Sequence, residues 1–453
     1  AVAIRAQGTS AGLRLLSHVL PSNNFLHSLG TSVRCHSGAC SFWFGAQFHV
    51  GTTWTSYMST RKKGRAEGVE LHEKGCKVCV AGGGGFIGAH LGRRLKDLGY
   101  QVVVADLKRN EFMDEQEYCD EFKELDLRIL SNCIDAIVGC QHVYNMAAHM
   151  GGKGFAEMTQ SEIVSNNWTI DLNLLQAAHS NSVKRFFYAS SACVYGAEQQ
   201  TRTGYDVVSL KEEFAWTAQP PTGLGRMKLS AEEMAQMHET DFGMHVRIAR
   251  YHNVYGKFST WKGGREKVAA AFCRKAVSST SHFEMWGDGL QVRNFVFIDD
   301  CIEGTIRLMM SDVNKPLNLG SEEVISMNDL AALTMSFDGK KLEVKHIEGP
   351  EGVRGRKSDN TKLKALLGWE PSTRLADGLK RTYTWIKEEI GKENTQGVDT
   401  SAYASSRGAE HDVKIVDSVA PVGEAPKLYT GSPTGPPRLA PAPPRPAPAS
   451  PRT

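Results

Sequence analysis

The sequence predicts an α/β fold, a Rossmann-type doubly wound parallel sheet followed by a smaller C-terminal substrate-binding lobe. Three observations carry this expectation. From about residue 75 onward, short apolar runs rich in Val, Ile and Phe alternate with helix-length segments, the rhythm of buried parallel strands and their crossover helices. The run Gly82-Gly83-Gly84-Gly85-Phe86-Ile87-Gly88 lies between the first such strand and a helical stretch. Farther on, Phe186-Phe187-Tyr188-Ala189 ends in Ser190-Ser191-Ala192-Cys193, which puts polar side chains at the carboxyl end of a strand, where open α/β sheets bind ligands.

Taken in order, the expected strands are Lys77–Ala81, Gln101–Ala105, Ala136–Met146, Arg185–Ala189 and Met244–Ala249. After the first strand, Gly82, Gly85 and Gly88 allow a tight turn and a close approach of backbone to a pyrophosphate. The following helix, through His90, Leu91 and Leu95, offers the N–H groups and dipole of its first turn, beginning at Phe86 and Ile87. Asp106 ends the second strand about twenty residues past the loop, where a carboxylate accepts hydrogen bonds from ribose hydroxyls and disfavours a 2′-phosphate. This combination points to NAD rather than NADP. Asp126, in Asp126-Leu127-Arg128, is the next acid able to reach the adenine edge, a surface turn being the other reading. From about residue 257 the rhythm breaks into Gly-rich loops and shorter helices. The expected organisation is therefore a basic N-terminal extension (1–74), an NAD-binding domain (75–256), a mainly substrate-binding lobe with returns to the core (257–392), and a disordered Pro-rich tail (393–453).

Composition narrows the function classes. With 453 residues, 41% of them hydrophobic, the chain is long enough for a sizeable core, and a formal net charge of +3 gives no reason to expect nucleic acid as a partner. No apolar run approaches the roughly eighteen residues of a membrane span. The ten cysteines show neither zinc-site pairs nor a disulfide rhythm, so no metal is expected and a reducing compartment is; Cys76 and Cys79 form a CxxC, but inside an apolar strand pattern that reads as core. Residues 1–66 contain no Asp or Glu and are rich in Arg, Lys, His, Ser, Gly and Thr. This is the composition of an organellar transit segment, or of a translated leader if synthesis starts at Met58. The stretch PTGPPRLAPAPPRPAPASPRT reads as a passive tail or a polyproline II docking segment.

Several segments carry a resemblance: NMAAHMGGKGF, FFYASSACVYG, RIARYHNVYG, TWKGGREKVAAAFCRKA, FEMWGDGLQVRNFVFIDD and PEGVRGRKSDN. Over about residues 75–392 they resemble the GDP-mannose 3,5-epimerase family of the extended short-chain dehydrogenase/reductases. The resemblance implies oxidation of the sugar 4-hydroxyl with bound NAD, proton exchange at carbons 5 and 3, and reduction of the ketone, giving GDP-L-galactose and GDP-L-gulose. It assigns Ser191 to steadying the hydroxyl and Lys228 to holding the nicotinamide ribose. Cys193 and Lys267 become the acid/base pair, which suits a thiol and an amine that burial and neighbouring charge can tune. Taken without the family, Cys193 reads as structural and Lys267 as solvated. Substrate contacts are implied for Gly151, Asn253, Glu266, Lys275, Gln291, Arg293 and Arg356, the basic ones suited to a diphosphate. A homodimer and a cytosolic location are also implied.

Two positions depart from the family pattern. The family's catalytic tyrosine lies four residues before Lys228, and here that residue is Leu224, which cannot take a proton. Thr222 and Tyr195 are nearby hydroxyls, neither at the required spacing. His149 stands after Ala147-Ala148 where the family usually has an acid, and reads as a hydrogen-bonded loop histidine. The competing functional reading is an NAD-binding pseudoenzyme serving as a structural subunit of a larger assembly.

Overall fold

The computed structural model describes residues 75–406; the N-terminal extension and the Pro-rich segment lie outside the described residues. Seven parallel strands make the main sheet: β1 (Lys77–Ala81), β2 (Gln101–Asp106), β3 (Glu121–Glu124), β4 (His142–Asn145), β5 (Arg185–Ser191), β7 (His245–Tyr251) and β11 (Leu317–Leu319). Their spatial order is β11-β7-β5-β4-β1-β2-β3. The order reverses between β1 and β4, and it is at such a switch point that doubly wound sheets open a crevice for ligands.

Strand alternation explains the layering. Val78 and Val80 of β1, with Val102 and Val104 of β2, face one core together with Leu91 and Leu95 of α1 (Phe86–Asp97). Cys79, Ala81, Val103 and Ala105 face the opposite core with Cys133 and Ile137 of α2 (Leu130–Ile137) and Leu174 and Leu175 of α3 (Gln160–Ser180). Each fully buried Leu contributes about 1.5–3 kcal/mol. Cys76 and Cys79 thus belong to the core, as their strand pattern suggests.

The expected strand Ala136–Met146 is corrected: its first residues end α2, a turn at Gly139 (φ +74°) follows, and only His142–Asn145 pairs with β1 and β5. The apolar Ala136, Ile137 and Val138 had merged two elements into one run. Strands β3 and β11 were not anticipated. The first is an edge strand, Glu-Phe-Lys-Glu, with no fully buried residue, and the second is only three residues long.

The smaller lobe gathers short strands. Its sheet runs β12 (Val324–Ser326), β10 (Val292–Phe297), β14 (Gly355–Ser358), β6 (Ser209–Leu210), with β8 (Asn253–Tyr255) also on β10; β9 (His282–Trp286) and β13 (Glu343–Ile347) form a parallel pair. Strands β6 and β8 come from before residue 257, so the lobe is built from excursions on both sides of the expected boundary. The lobe also carries α5 (Val268–Ser278), while α4 (Gly223–Phe242) covers the main sheet. Between α4 and β7, Glu232 and Arg250 form an ion pair at 2.7 Å with both side chains fully buried. The boundary expected at residue 393 falls inside a helix. Helix α6 (Leu375–Thr395) passes that point, and Tyr403, Ser405 and Ser406 are held by Arg274, Lys275 and Glu284.

Candidate active site

The cofactor end of the crevice is built from glycine. After β1 the chain turns at Gly82 (φ +80°), whose N–H donates to the Ala105 carbonyl at 2.7 Å. A Cβ on Gly82 would lie 2.5 Å from the backbone of Ala147, and one on Gly88 would lie 2.2 Å from the Gly82 carbonyl oxygen. Gly85 is the N-cap of α1 and no side chain caps it, so the first-turn N–H groups at Phe86, Ile87 and Gly88 are left for an anion. Asp106 is gripped from behind: Oδ2 accepts from the Gly84 N–H at 3.0 Å and Oδ1 from the Leu107 N–H at 2.7 Å. Burial raises its pKa, and these N–H groups oppose the rise. A side-chain-free loop, an uncapped helix start and an oriented carboxylate fit a dinucleotide with free ribose hydroxyls. Asp126 is taken up by Arg128, whose Nε and Nη2 bind its carboxylate at 2.9 and 2.7 Å and hold its pKa down. Arg128 reaches on to Asn166, which also meets His149 Nδ1 at 3.1 Å. His149 is thus a hydrogen-bonded loop histidine, its pKa lowered by burial and by Arg265.

At the other end, β5 stops at Ser191, whose Oγ accepts from the Cys193 N–H at 3.3 Å and so fixes the turn that presents the thiol. Burial raises the Cys193 pKa, while Ser191, Arg356 and Lys228 pull it back. The thiol is therefore protonated at neutral pH. Lys228 is buried in α4, donating to the Ala189 carbonyl at 3.1 Å with its ammonium 4.4 Å from the Tyr188 ring centre. Leu224 lies half-buried in the first turn of the same helix.

Neither nearby hydroxyl replaces the missing tyrosine. Thr222 is the helix N-cap, its side chain accepting from the Gly225 N–H at 3.1 Å. Tyr195 is fully buried and donates to Asn318 Oδ1 at 2.6 Å, and its burial raises the phenol pKa far above neutrality.

Lys267 immediately precedes α5. Its residue surface is exposed to solvent, although protein is dense around its ammonium. That surrounding lowers its pKa, partly offset by Cys193 and Cys301, and its exposure limits the shift. Cys193, when ionised, is thus among the groups that bear on Lys267.

The implied substrate residues fall into three groups. Gly151 and Gly152 pack under the Lys267 loop, with the Gly152 N–H donating to Arg265 O at 3.0 Å and no room for a Cβ beside Glu266 O. Arg293 and Arg356 are cross-strand partners on β10 and β14, with Gln291 two residues before Arg293 and Asn253 Nδ2 bound to Asn294 O at 2.8 Å. Arg356 Nε donates to Gln200 Oε1 at 2.7 Å, and the charge of Arg356 bears on both Arg293 and Cys193. Glu266 and Lys275 sit beside the C-terminal segment. Glu266 Oε1 binds Arg274 at 2.9 Å, and Lys275 Nζ donates to Glu284 O at 2.7 Å and Ser406 Oγ at 3.0 Å. Glu266 Oε2 and Gln291 Oε1 are buried without a hydrogen-bond partner among the described residues. Two buried acceptors in this state can take donors from water or from a ligand.

The NAD dependent epimerase/dehydratase family matches residues 78–320, the span from β1 to just past β11. The chain belongs to that family. This family member is 52% identical over 346 residues to GDP-mannose 3,5-epimerase 1 of rice (Oryza sativa subsp. japonica), covering 76% of this chain and 89% of the relative. The same figures hold for GDP-mannose 3,5-epimerase of Arabidopsis thaliana. Among solved structures it is similar to UDP-glucuronic acid 4-epimerase of Bacillus cereus in complex with UDP-glucuronic acid and NAD, with a TM-score of 0.60, 25% identity, and coverage of 69% of this chain and 99% of that one. The epimerase is NAD-dependent, and its class is that of nucleotide-sugar epimerases. Among its described residues no helix is long and apolar enough to cross a membrane, and no group of three or more His, Cys, Asp or Glu is placed to hold a metal.

Sequence reasoning missed Asp171, Tyr188 and Asn145, which surround Lys228, and Ser405 and Ser406 behind Lys275. Asn145 and Tyr188 lie in the segments NMAAHMGGKGF and FFYASSACVYG but were given no role, and no motif marks Asp171, Ser405 or Ser406. The one local hint was an acid at position 171 within a largely apolar stretch of α3.

Proposed function

We propose that this epimerase converts GDP-mannose to GDP-L-galactose and GDP-L-gulose through a 4-keto sugar, with its oxidation step slowed by Leu224. The observation that carries the reading is the 52% identity to GDP-mannose 3,5-epimerase 1 of rice, and it is supported by a thiol at Cys193 whose pKa is raised and an amine at Lys267 whose pKa is lowered and on which Cys193 bears electrostatically. A ketone at carbon 4 acidifies the C–H bonds at carbons 3 and 5. An acid and a base on opposite faces can then invert either centre. Bound NAD supplies hydride uptake and return at carbon 4. Ser191 would orient the 4-hydroxyl, Lys228 the nicotinamide ribose, and Asp106 the adenosine ribose. Arg293 and Arg356 suit the diphosphate, and the unpartnered Glu266 Oε2 and Gln291 Oε1 suit hydroxyl or N–H donors of the substrate.

Leu224 favours a second reading, an NAD-binding pseudoenzyme acting as a structural subunit, because Thr222 and Tyr195 are both committed elsewhere. Incubation with GDP-mannose and NAD in deuterated water separates the two. Deuterium at carbons 3 and 5, followed by mass spectrometry and NMR, supports the epimerase. Absence of exchange both in this chain and in Leu224→Tyr supports the subunit. A homodimer would use the outer faces of α3 and α4, where Leu172, Met237 and Phe242 are 40%, 60% and 50% exposed. We place it in the cytosol, the family's usual compartment.

A further inference from the structure

Beneath the cleft, Asp171 of α3 is 1% exposed, and its carboxylate is nearly encircled. Oδ1 accepts from Asn145 Nδ2 at 2.8 Å, and Oδ2 accepts from the Tyr188 hydroxyl at 2.7 Å and lies 3.6 Å from Lys228 Nζ. Lys228, only 6% exposed, is held from the other side by the Ala189 carbonyl and the Tyr188 ring face. A buried carboxylate needs a cation, and the alternatives are spoken for. Arg250 binds Glu232, the acid one turn along α4 from Lys228, and Arg356 lies toward Cys193 and Gln200. Next to Lys228 the buried charges therefore sort into two pairs, Glu232 with Arg250 and Asp171 with Lys228.

We propose that Asp171 is a positioning residue and counter-ion for Lys228, tying down its ammonium and cancelling most of the positive field that Lys228 would otherwise cast on position 224. The proposal rests on the epimerase reading for the role of Lys228 but not for its test. In a site that uses a lysine to acidify a hydroxyl one helical turn away, a buried carboxylate at 3.6 Å works against that effect. With leucine at 224 there is no hydroxyl to acidify, and the pair instead fixes Lys228 as a cofactor-ribose donor. The charged and titratable groups around that ammonium are Asp171 on α3, Tyr188 on β5, Cys193 after β5, Glu232 on α4 and Arg356 on β14.

The test is a tyrosinate absorbance titration of Leu224→Tyr, with Leu224→Phe as the blank, in the presence and absence of Asp171→Asn. Asparagine keeps an acceptor for Tyr188. A flip of the Asn145 amide, whose Oδ1 is buried and unpartnered, meets the new donor. The new tyrosine is expected to titrate about one unit or more lower when Asp171 is replaced, because loss of a nearby negative charge favours the phenolate. Equal pKa values in the two backgrounds overturn the proposal, since a merely structural Asp171 does not move this titration. Should Asp171→Asn fold poorly by circular dichroism, Asp171→Ser, which also offers Tyr188 an acceptor, gives the same comparison. Because the readout needs no turnover, a protein inactive on GDP-mannose in every variant sinks the functional reading while leaving the charge pairing to be judged on its own.

Discussion

Restoring a tyrosine at position 224 is the most informative single change. Leu224 lies in the first turn of α4, four residues before Lys228, so the two side chains share one face a helical turn apart. Thr222 caps the helix through the Gly225 N–H and is untouched by the change. Leucine and tyrosine differ by only a few tenths of a kcal/mol in helix propensity, and the site is half-exposed, so Leu224→Tyr should fold normally. A positioned general base contributes about 10²–10⁴-fold, which is about 3–5 kcal/mol of barrier at 1.36 kcal/mol per decade. Since Asp171 offsets the charge of Lys228, the gain should fall near the lower end, about 10²-fold. The assay is the initial rate of deuterium entry at carbons 3 and 5 of GDP-mannose. The rate in Leu224→Tyr should rise with pH as the phenol ionises. An unchanged rate in a variant that retains NAD would refute the reasoning, because some other group would already be supplying the base.

Further outcomes follow from the same geometry. Cys193→Ala and Lys267→Met should each cut exchange by about 10²-fold or more while leaving NAD affinity intact. Each substitution should also change the pH profile of exchange, Lys267→Met on the limb where the amine deprotonates and Cys193→Ala on the limb where the thiol ionises; profiles that neither substitution alters would count against this pair. Gly88→Ala places a Cβ 2.2 Å from the Gly82 carbonyl, so it should weaken NAD binding by calorimetry and cost about 1–3 kcal/mol in urea unfolding. Arg250→Met leaves Glu232 buried without its partner and should cost about 3–5 kcal/mol, read from the urea midpoint at constant m-value. His252 is buried with its pKa lowered to about 4, so the folded state holds it neutral while the unfolded chain binds a proton below about 6.5. Stability should therefore be complete above that value and fall by roughly 3 kcal/mol as pH drops through the window to 4. His252→Asn should flatten this slope, and an unaltered slope would show that other groups cause it.

Much of this protein was legible in its sequence because the relevant physics is local. The turn at Gly82, the close approach at Gly88 and the carboxylate at the end of β2 lie within about one βαβ unit, and chain connectivity alone brings them together. Ser191 and Cys193 follow in the same way from a strand ending at the sheet's carboxyl edge. The departure at Leu224 needed only a count back from Lys228.

Other features depended on segments far apart in the chain. Whether Ala136–Met146 was one strand or a helix end, a turn and a strand could not be settled by apolar content, since Ala, Ile and Val serve either period; pairing with β1 and β5 decided it. The polar edge strand β3 exists because β2 offers it a ladder, and its own side chains give little sign of it. Tertiary structure also committed Tyr195 to Asn318 and Ser406 to Lys275, contacts across more than a hundred residues.

The sequence by itself determined which chemical groups this protein has: the glycine run, the acid that ends the second strand, the thiol, the two lysines and the leucine at position 224. Only the tertiary structure decided how those groups are charged. The pKa of a thiol or an amine, and the field of Lys228 at position 224, depend on burial and on counter-ions such as Asp171, which lies 57 residues away in the chain and 3.6 Å away in space. Electrostatic energy follows distance and dielectric environment, and sequence separation measures neither.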